Sequence, residues 1–493
     1  MDLKGQNSGM TLTKIFQEPA NGQDQLGVYW YGTQIGVLTK DGKDTTWVSS
    51  SPQYFRIFDV QDASQEPAVI KNLQPEGWLF DVLSFRDQWT YLKEGLCFLS
   101  NLRIVDPQHE KTFLESAPKD VLEGRLSSFS REDAVFSGNY QGPSRHKLEV
   151  EVESKSLATL WNDRAMPRLS GAQMKLPMCL HKDGSLLPAL GAEHSFTHLL
   201  KLPREGVLQS LGAVEWLCLE ISERVGIKTA DHALVSLPDG LPPALLVERF
   251  DIPSSEEDTQ KILMQDFCSL AHIPPHEKDS GSIEQCAKLL RNSSTDWEKD
   301  REAFFDRVVL SYAVGDGDMH RKNLSVLKKI ENGNPEELTI EFSPVYDVVS
   351  TVVYKNGDQM ALPLNGKRHN IDHKTWAYFG KNLGMNPQEA SVRALTLIAN
   401  IAREAVDICS NLPPEILAHP ACVHDLQRAT TEIVDLAKRN GQTVPEWNSV
   451  YEPKKEKLDL DEARANQRQK ARTGLGIGDL PERSFDAPYL SLY

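Results

Sequence analysis

The chain has 493 residues, a formal net charge of −16, 40% hydrophobic residues and 25% charged ones. That length calls for more than one domain or subdomain, and the apolar share suffices for a packed core over most of it. The acid excess argues against a broad nucleic-acid-binding face, though not against a local basic patch or a DNA-binding partner. No apolar run is long enough to span a bilayer, and the N-terminus lacks the basic segment and apolar core of a secretory signal. The seven cysteines are scattered, with no CxxC pair. They read as buried thiols of a reducing, cytoplasmic setting.

In chain order, residues 1–24 are polar and expected to be loose. Residues 26–38 (LGVYWYGTQIGVL) form two apolar, aromatic runs around Gly32, Thr33 and Gln34, the pattern of a hairpin. Short strands are expected at 46–49 and 54–58, and a helix entered through 73–78. Residues 106–160 are charged without a sustained period and read as a connector, with an alternating EVEVE at 149–153 that is either a strand or a solvated acidic stretch. Residues 167–175 (PRLSGAQMK) make a small glycine-containing turn. Its backbone N–H groups suit phosphate oxygens, and equally it is an ordinary turn. Residues 197–203 (THLLKLP) are a short strand ending near Lys201. Leu211, Val214, Leu217, Cys218, Ile221 and Val225 follow a helical period that Gly226 ends, and Glu215 lies near the start of that helix, either solvated or paired with Lys201. Residues 244–251 (ALLVERFD) are a buried-type strand with an abrupt polar end.

The densest chemistry lies at 311–327. An apolar helical run containing Phe304, Phe305, Val308, Val309 and Tyr312 is broken by Gly315 and Gly317. Asp316, Asp318, His320, Arg321, Lys322 and Asn323 follow at once, before an apolar strand at 324–330. Residues 331–335 (ENGNP) are turn chemistry and 338–342 (LTIEF) a second strand. A hairpin of this kind returns the chain to its origin, so Asp318 and Asn323 should lie near Asp347. Two carboxylates and an amide are hard oxygen ligands suited to Mg²⁺. One carboxylate is left to orient an attacking hydroxyl, the division of labour in phosphoryl transfer. The same spacing also fits a polar turn and a strand end that need no ligand. Helices are expected at 390–409 and 425–437, and a mobile, charged tail at 441–493.

DMHRKN at 318–323 followed by SPVYDVVS at 343–350 resembles the catalytic loop and metal-binding segment of HipA-type serine/threonine kinases. The resemblance covers roughly residues 25–440 and is strongest at 168–367. It implies an α+β fold: a small β-rich N-terminal subdomain (25–105), a connector (106–160), a kinase N-lobe (161–255) and a helical C-lobe (256–440), with ATP and Mg²⁺ between the lobes. It implies Asp318 as catalytic base and Asn323 and Asp347 as metal ligands. It places Ser170, Gly171, Ala172, Gln173 and Lys175 in the phosphate-facing loop, where Arg168 replaces a usual serine, and Ser170 as an autophosphorylation site. Lys201 would meet phosphate, the backbone of Glu248, Arg249 and Phe250 adenine, and Asp251 ribose; His320 and Lys322 are assigned to ATP as well. It implies a protein substrate, an aminoacyl-tRNA synthetase among relatives, and a small DNA-binding antitoxin of the HipB type. No direct nucleic-acid or membrane binding is expected. The rival readings are a nucleotide-binding pseudokinase acting as repressor partner or scaffold, and a small-molecule or lipid kinase on a similar fold.

Overall fold

Three sheets and a helical body make up a computed structural model of the chain, described over residues 24–41, 44–72, 101–106, 121–129, 134–142, 175–189, 195–203, 208–238, 240–255, 258–355 and 357–447. The expectations for residues 1–23, 73–78, 149–153 and 448–493, and for Arg168, Ser170, Gly171, Ala172 and Gln173, lie outside the described residues.

The first sheet is antiparallel, in the order β3-β2-β1-β4, with β1 Asp24–Trp30, β2 Thr33–Asp41, β3 Asp44–Ser49 and β4 Leu102–Val105. The expected first hairpin is present, but it turns at Tyr31 (φ 47°) and Gly32 (φ 73°), slightly earlier than the sequence suggested. Two consecutive left-handed residues match the twist of the flanking strands. The strand expected at 54–58 is instead a 3₁₀ turn, Pro52–Tyr54, running into a one-turn helix α1, Phe55–Phe58. Pro52 at the first helical position and Asp59 in the left-handed region (φ 53°) bracket it. Tyr54, Ile57 and Phe58 then reach the core at helical spacing and pack around the fully buried Trp30. A second short helix, α2, is Ala68–Lys71.

The second sheet has the order β5-β7-β6-β8-β10-β9. Its strands are β5 Asn139–Tyr140, β6 Lys175–Leu180, β7 Ser185–Pro188, β8 His198–Lys201, β9 His232–Val235 and β10 Ala244–Glu248. All pairings are antiparallel except β5 with β7. Helix α3, Leu211–Arg224, packs on it and stops where Gly226 adopts φ 83°.

The third sheet is β11-β12-β13: Lys261–Asp266, Ser325–Ile330 and Thr339–Phe342. The last two are the expected hairpin. Around it stand α4 Phe267–Leu270, α5 Ile283–Ser293, α6 Trp297–Val314, α7 His373–Asn382, α8 Pro387–Ser410, α9 Pro414–Leu417 and α10 Pro420–Arg439. The inner face of α6 carries Phe304 and Phe305, which meet Phe342 and Phe379 at ring separations of 5.5 Å each. The segment at 360–366 makes a single bridge, Leu364 to Lys367, around a turn with Asn365 and Gly366 left-handed.

The N-terminal subdomain shares a core with the third sheet, through Leu263, Ile330 and Leu338. Lys328 of β12 is buried at this junction, 2.6 Å from Asp59 and donating to the Ile57 carbonyl at 2.9 Å. Among the described residues no helix is long and apolar enough to cross a membrane.

Candidate active site

Helix α6 delivers the polar loop, and its C-terminus shows how. Gly315 sits left-handed at φ 69°, with Asp316 N–H bonded back to the Ser311 carbonyl at 2.8 Å, so the helix ends in a sharp turn. Gly317 lies against Thr351 and Asp358 with no room for a Cβ. The Thr351 hydroxyl accepts Gly317 N–H at 2.7 Å and donates to the Gly315 carbonyl at 3.1 Å. Gly315 thus answers to its left-handed backbone and Gly317 to the close approach of the Thr351 and Asp358 side chains.

Asp316 is the internal anchor. It is buried, its Oδ2 lies 3.5 Å from the buried Arg307 guanidinium, and its Oδ1 accepts Asp318 N–H at 3.0 Å. Burial pushes its carboxyl up to about 6, against the pull of Arg307. Sequence reasoning placed Asp316 in the cluster without a role and left Arg307 out. The signal available was an arginine within an apolar helical run.

Asp318 is buried, and its Oδ2 has no hydrogen-bond partner. Burial pushes its carboxyl well above the usual carboxylate range; the Lys278 ammonium pulls it back, and the charges of Asp316, Asp279 and Asp347 add to the rise. Asn323 donates from Nδ2 to the Asp318 carbonyl at 2.8 Å, which fixes the amide and leaves its oxygen for another group. His320 is buried with both ring nitrogens unpartnered, 3.7 Å from Asp318, and burial holds it well below the usual imidazole range and so neutral.

The hairpin brings Asp347 to the same place. Its backbone is left-handed at φ 43°, an uncommon conformation for a residue with a side chain. Its carboxylate meets Lys201 Nζ. Lys201 also donates to Glu215 Oε1 at 2.6 Å, so β8 and α3 contribute to one buried ion network. The ion pair of Lys201 with Glu215 is thus formed rather than solvated. Burial opposes charge on Asp347, but Lys201 and then Lys175 outweigh it and hold the carboxyl low. Lys175 pairs in register with Lys201, which places the start of β6 beside the network. Glu215 Oε2 remains buried without a partner.

The other expected residues are held differently. Glu248 N–H donates to the Asp231 carbonyl at 2.8 Å and Arg249 N–H to the Thr197 carbonyl at 2.9 Å. What Glu248 and Arg249 can offer a nucleotide is therefore carbonyl oxygen. The Glu248 side chain turns toward Leu126 N–H (2.8 Å) and Arg125 (3.2 Å). Arg249 grips Asp251 through two parallel bonds of 2.9 and 3.0 Å, so the expected ribose contact is already engaged with a cation. Phe250 lies beside Tyr346, with ring centres 5.6 Å apart, so the end of β10 touches the segment that carries Asp347. Lys322 bonds Asp266 Oδ2 at 3.1 Å.

The donor set fits a hard divalent cation: an ionised carboxylate, a fixed amide and a buried carboxylate oxygen lacking any partner. Asp347 and Asn323 would hold such an ion beside the phosphates of a nucleotide.

Residues 168–407 match the family described as the HipA-like C-terminal domain. The Sinorhizobium fredii (strain NBRC 101917 / NGR234) protein Y4mE, provisionally named a kinase, is 29% identical over 249 residues, 48% of this chain and 56% of its own. Y4dM of the same organism, named in the same way, is 29% identical over 256 residues, 48% of this chain and 57% of its own. The chain spans about half the length of these curated relatives. A chain of the Shewanella oneidensis MR-1 toxin–antitoxin complex of HipA, HipB and operator DNA matches with a TM-score of 0.57 at 18% identity, covering 84% of this chain and 97% of that one. At that identity the likeness speaks to fold, and the fold is the expected α+β one.

Proposed function

We propose, on the premise that the chain belongs to the HipA-like family over residues 168–407, that it is an ATP-dependent serine/threonine protein kinase. The reading rests on two bonded groups close enough to interact electrostatically: Asn323 on the Asp318 carbonyl, and Asp347 on the Lys201–Glu215 pair, with the Asp347 charge helping to raise the Asp318 carboxyl. Asp318 accepts the proton of the attacking hydroxyl and aims its oxygen. Asp316 and Asn323 hold the Asp318 backbone from either side. Lys201 neutralises phosphate charge and is itself aligned by Glu215. Asn323 and Asp347 would hold Mg²⁺, which would supply charge neutralisation for phosphoryl transfer.

The substrate is a protein, with an aminoacyl-tRNA synthetase as the class to try first. The partner is a small DNA-binding protein of the HipB kind, as in the Shewanella complex, and the setting is cytoplasmic. Ser170 is the proposed autophosphorylation site. A phosphate there adds about −1.5 to −2 charges and is expected to lower activity.

The test is incubation of purified protein with radiolabelled ATP, Mg²⁺ and cell lysate, with the Asp318→Ala variant alongside. Label on a serine or threonine of a protein, absent with the variant, supports the reading. Equal labelling by the variant removes Asp318 as base, and nucleotide binding without any transfer favours the pseudokinase.

A further inference from the structure

Strand β6 runs from Lys175, beside Lys201, to Leu180, and the chain leaves the sheet at His181. Residues two apart on a strand share a face, so Cys179 and His181 project to the same side. They lie four and six residues beyond Lys175, roughly 13 and 20 Å along the strand. A second segment crosses this far end. Gly124 N–H donates to the Leu180 carbonyl at 2.9 Å, and Gly124 is so close to the His181 backbone that a Cβ would collide with it. The neighbouring Glu123 is thereby set against His181, its Oε2 2.7 Å from Nδ1.

One donor atom from each of Glu123, Cys179 and His181 falls within 4.8 Å of the other two. Zinc bonds of about 2.0–2.3 Å in tetrahedral geometry set ligand atoms about 3.3–3.8 Å apart. To reach that spacing the 2.7 Å Glu123–His181 contact must open and separations of up to 4.8 Å must close, shifts of about 1 Å within reach of the two side chains that are 41% and 27% exposed, Glu123 and His181. The thiol is the fixed point: Cys179 is fully buried among Ala189 and Phe196.

We infer that Glu123, Cys179 and His181 form a zinc site at the end of β6 remote from Lys201, with a fourth position open to water. The choice of ion follows from the donors. A thiolate, an imidazole and a carboxylate together suit a borderline-soft cation, whereas Mg²⁺ and Ca²⁺ take oxygen. The surroundings fit a sulfur ligand. Burial and the Glu123 charge push the Cys179 thiol up to about 11, but Thr197 and the Ser195 backbone bond the sulfur and favour its charged form. Such bonds to a ligating sulfur tune the metal site. Binding displaces the thiol proton to solvent, so affinity rises with pH. The ion ties the segment at 121–124 to the β6–β7 hairpin, and its effect is on the stability of that sheet.

The test uses the full chain, stripped with a chelator and titrated with Co²⁺ as a spectroscopic substitute for zinc. Expected, with excess Mg²⁺ present to compete at the Asn323–Asp347 site, are one tightly bound equivalent and a thiolate-to-cobalt charge-transfer band. Cys179→Ala should abolish the band, while Cys286→Ala, which removes another buried thiol, should keep it. Glu123→Gln and His181→Ala should each weaken binding by more than about 10-fold, since losing a ligand costs at least as much as losing a partner that orients one. Because Glu123 is half-exposed, its variant folds whatever befalls Cys179→Ala. No stoichiometric uptake, a bound cobalt without the thiolate band, or unchanged affinity in both Glu123→Gln and His181→Ala overturns the site.

Discussion

The loop at 316–323 and the end of β10 differ in how fully their buried carboxylates are partnered. On the loop side, Asp318 Oδ2, both nitrogens of His320 and Glu215 Oε2 are buried without hydrogen-bond partners. On the β10 side the carboxylates are held, Asp251 by Arg249 through two bonds and Glu248 by Leu126 N–H and Arg125, while the buried His198 Nε2, 3.4 Å from Glu248, has no hydrogen-bond partner. A buried polar atom left unpaired costs roughly 1–3 kcal/mol. A cluster of them in one place points to a ligand that completes it, whereas a closed network points to architecture. The contrast separates residues that the sequence pattern groups together.

The largest expected effect breaks the loop side. Asp318→Asn keeps shape and hydrogen-bonding capacity but removes the proposed base. Phosphoryl transfer should fall by about 10³-fold or more in single-turnover assays. Stability should hold or rise, because burial disfavours the Asp318 charge in the folded state. Transfer surviving at near wild-type rate would assign the base elsewhere.

Next comes the β10 side. Asp251→Ala leaves the buried Arg249 guanidinium without its carboxylate, though still bonded to the Phe196 carbonyl at 2.8 Å; both side chains of the pair are only 9% exposed. The expected loss of stability is about 3 kcal/mol, read from denaturant unfolding. Affinity for Mg²⁺–ATP should change less than about threefold once folded protein is compared with folded protein. A large loss of ATP affinity with intact stability would restore the ribose role that the sequence suggested and would collapse the contrast.

This difference also explains what could be read in advance. The loop and its hairpin were legible because glycine placement, the polar cluster and the turn at 331–335 are all local in sequence. That Asp318 and Asp347 lie within electrostatic reach of each other follows from the hairpin. The Arg249–Asp251 fork was not legible, because i and i+2 at a strand end can point together or apart depending on the bend after Glu248. Strand β11, which completes the third sheet, pairs with residues 59 or more positions away, and no local signal announces that. The segment at 54–58 is aromatic-rich and was read as a strand, yet Pro52 and the left-handed Asp59 decide for a helix turn. The Glu123–His181 contact spans 58 residues and depends on how the connector crosses β6.

A subtler effect sharpens the loop side through pH. An aspartate must be ionised to accept a proton, so a raised value moves the acid limb of kcat/KM above the ordinary carboxylate range. Asp279 contributes to that rise. Asp279→Asn removes a negative charge, makes Asp318 easier to ionise and should shift the limb to lower pH. His320, held neutral, adds no limb near neutrality. A limb that stays fixed in Asp279→Asn would mean that another group controls it.

The smallest expected effect lies away from the cleft and tests the rule itself. Glu341 on β13 is partnered, like Asp251, but by Lys329 at 2.8 Å and by Lys228 and Lys299 at 3.3 Å each. Burial opposes its charge, yet these lysines together bring its carboxyl down to about 2 from 4.5. A depressed carboxyl contributes stability above its unfolded value and loses it as pH falls through the folded value, here between about 4.5 and about 2. Lys228 and Lys299 are 59% and 61% exposed, so water and salt screen most of that gain. Glu341→Gln should therefore cost only about 1 kcal/mol at neutral pH and low salt. That difference should shrink in high salt and fade toward the acid end of the window, as read from unfolding midpoints at several pH values. A cost as large as that of Asp251→Ala, or one indifferent to salt, would mean that partner number rather than burial sets the energy of these networks.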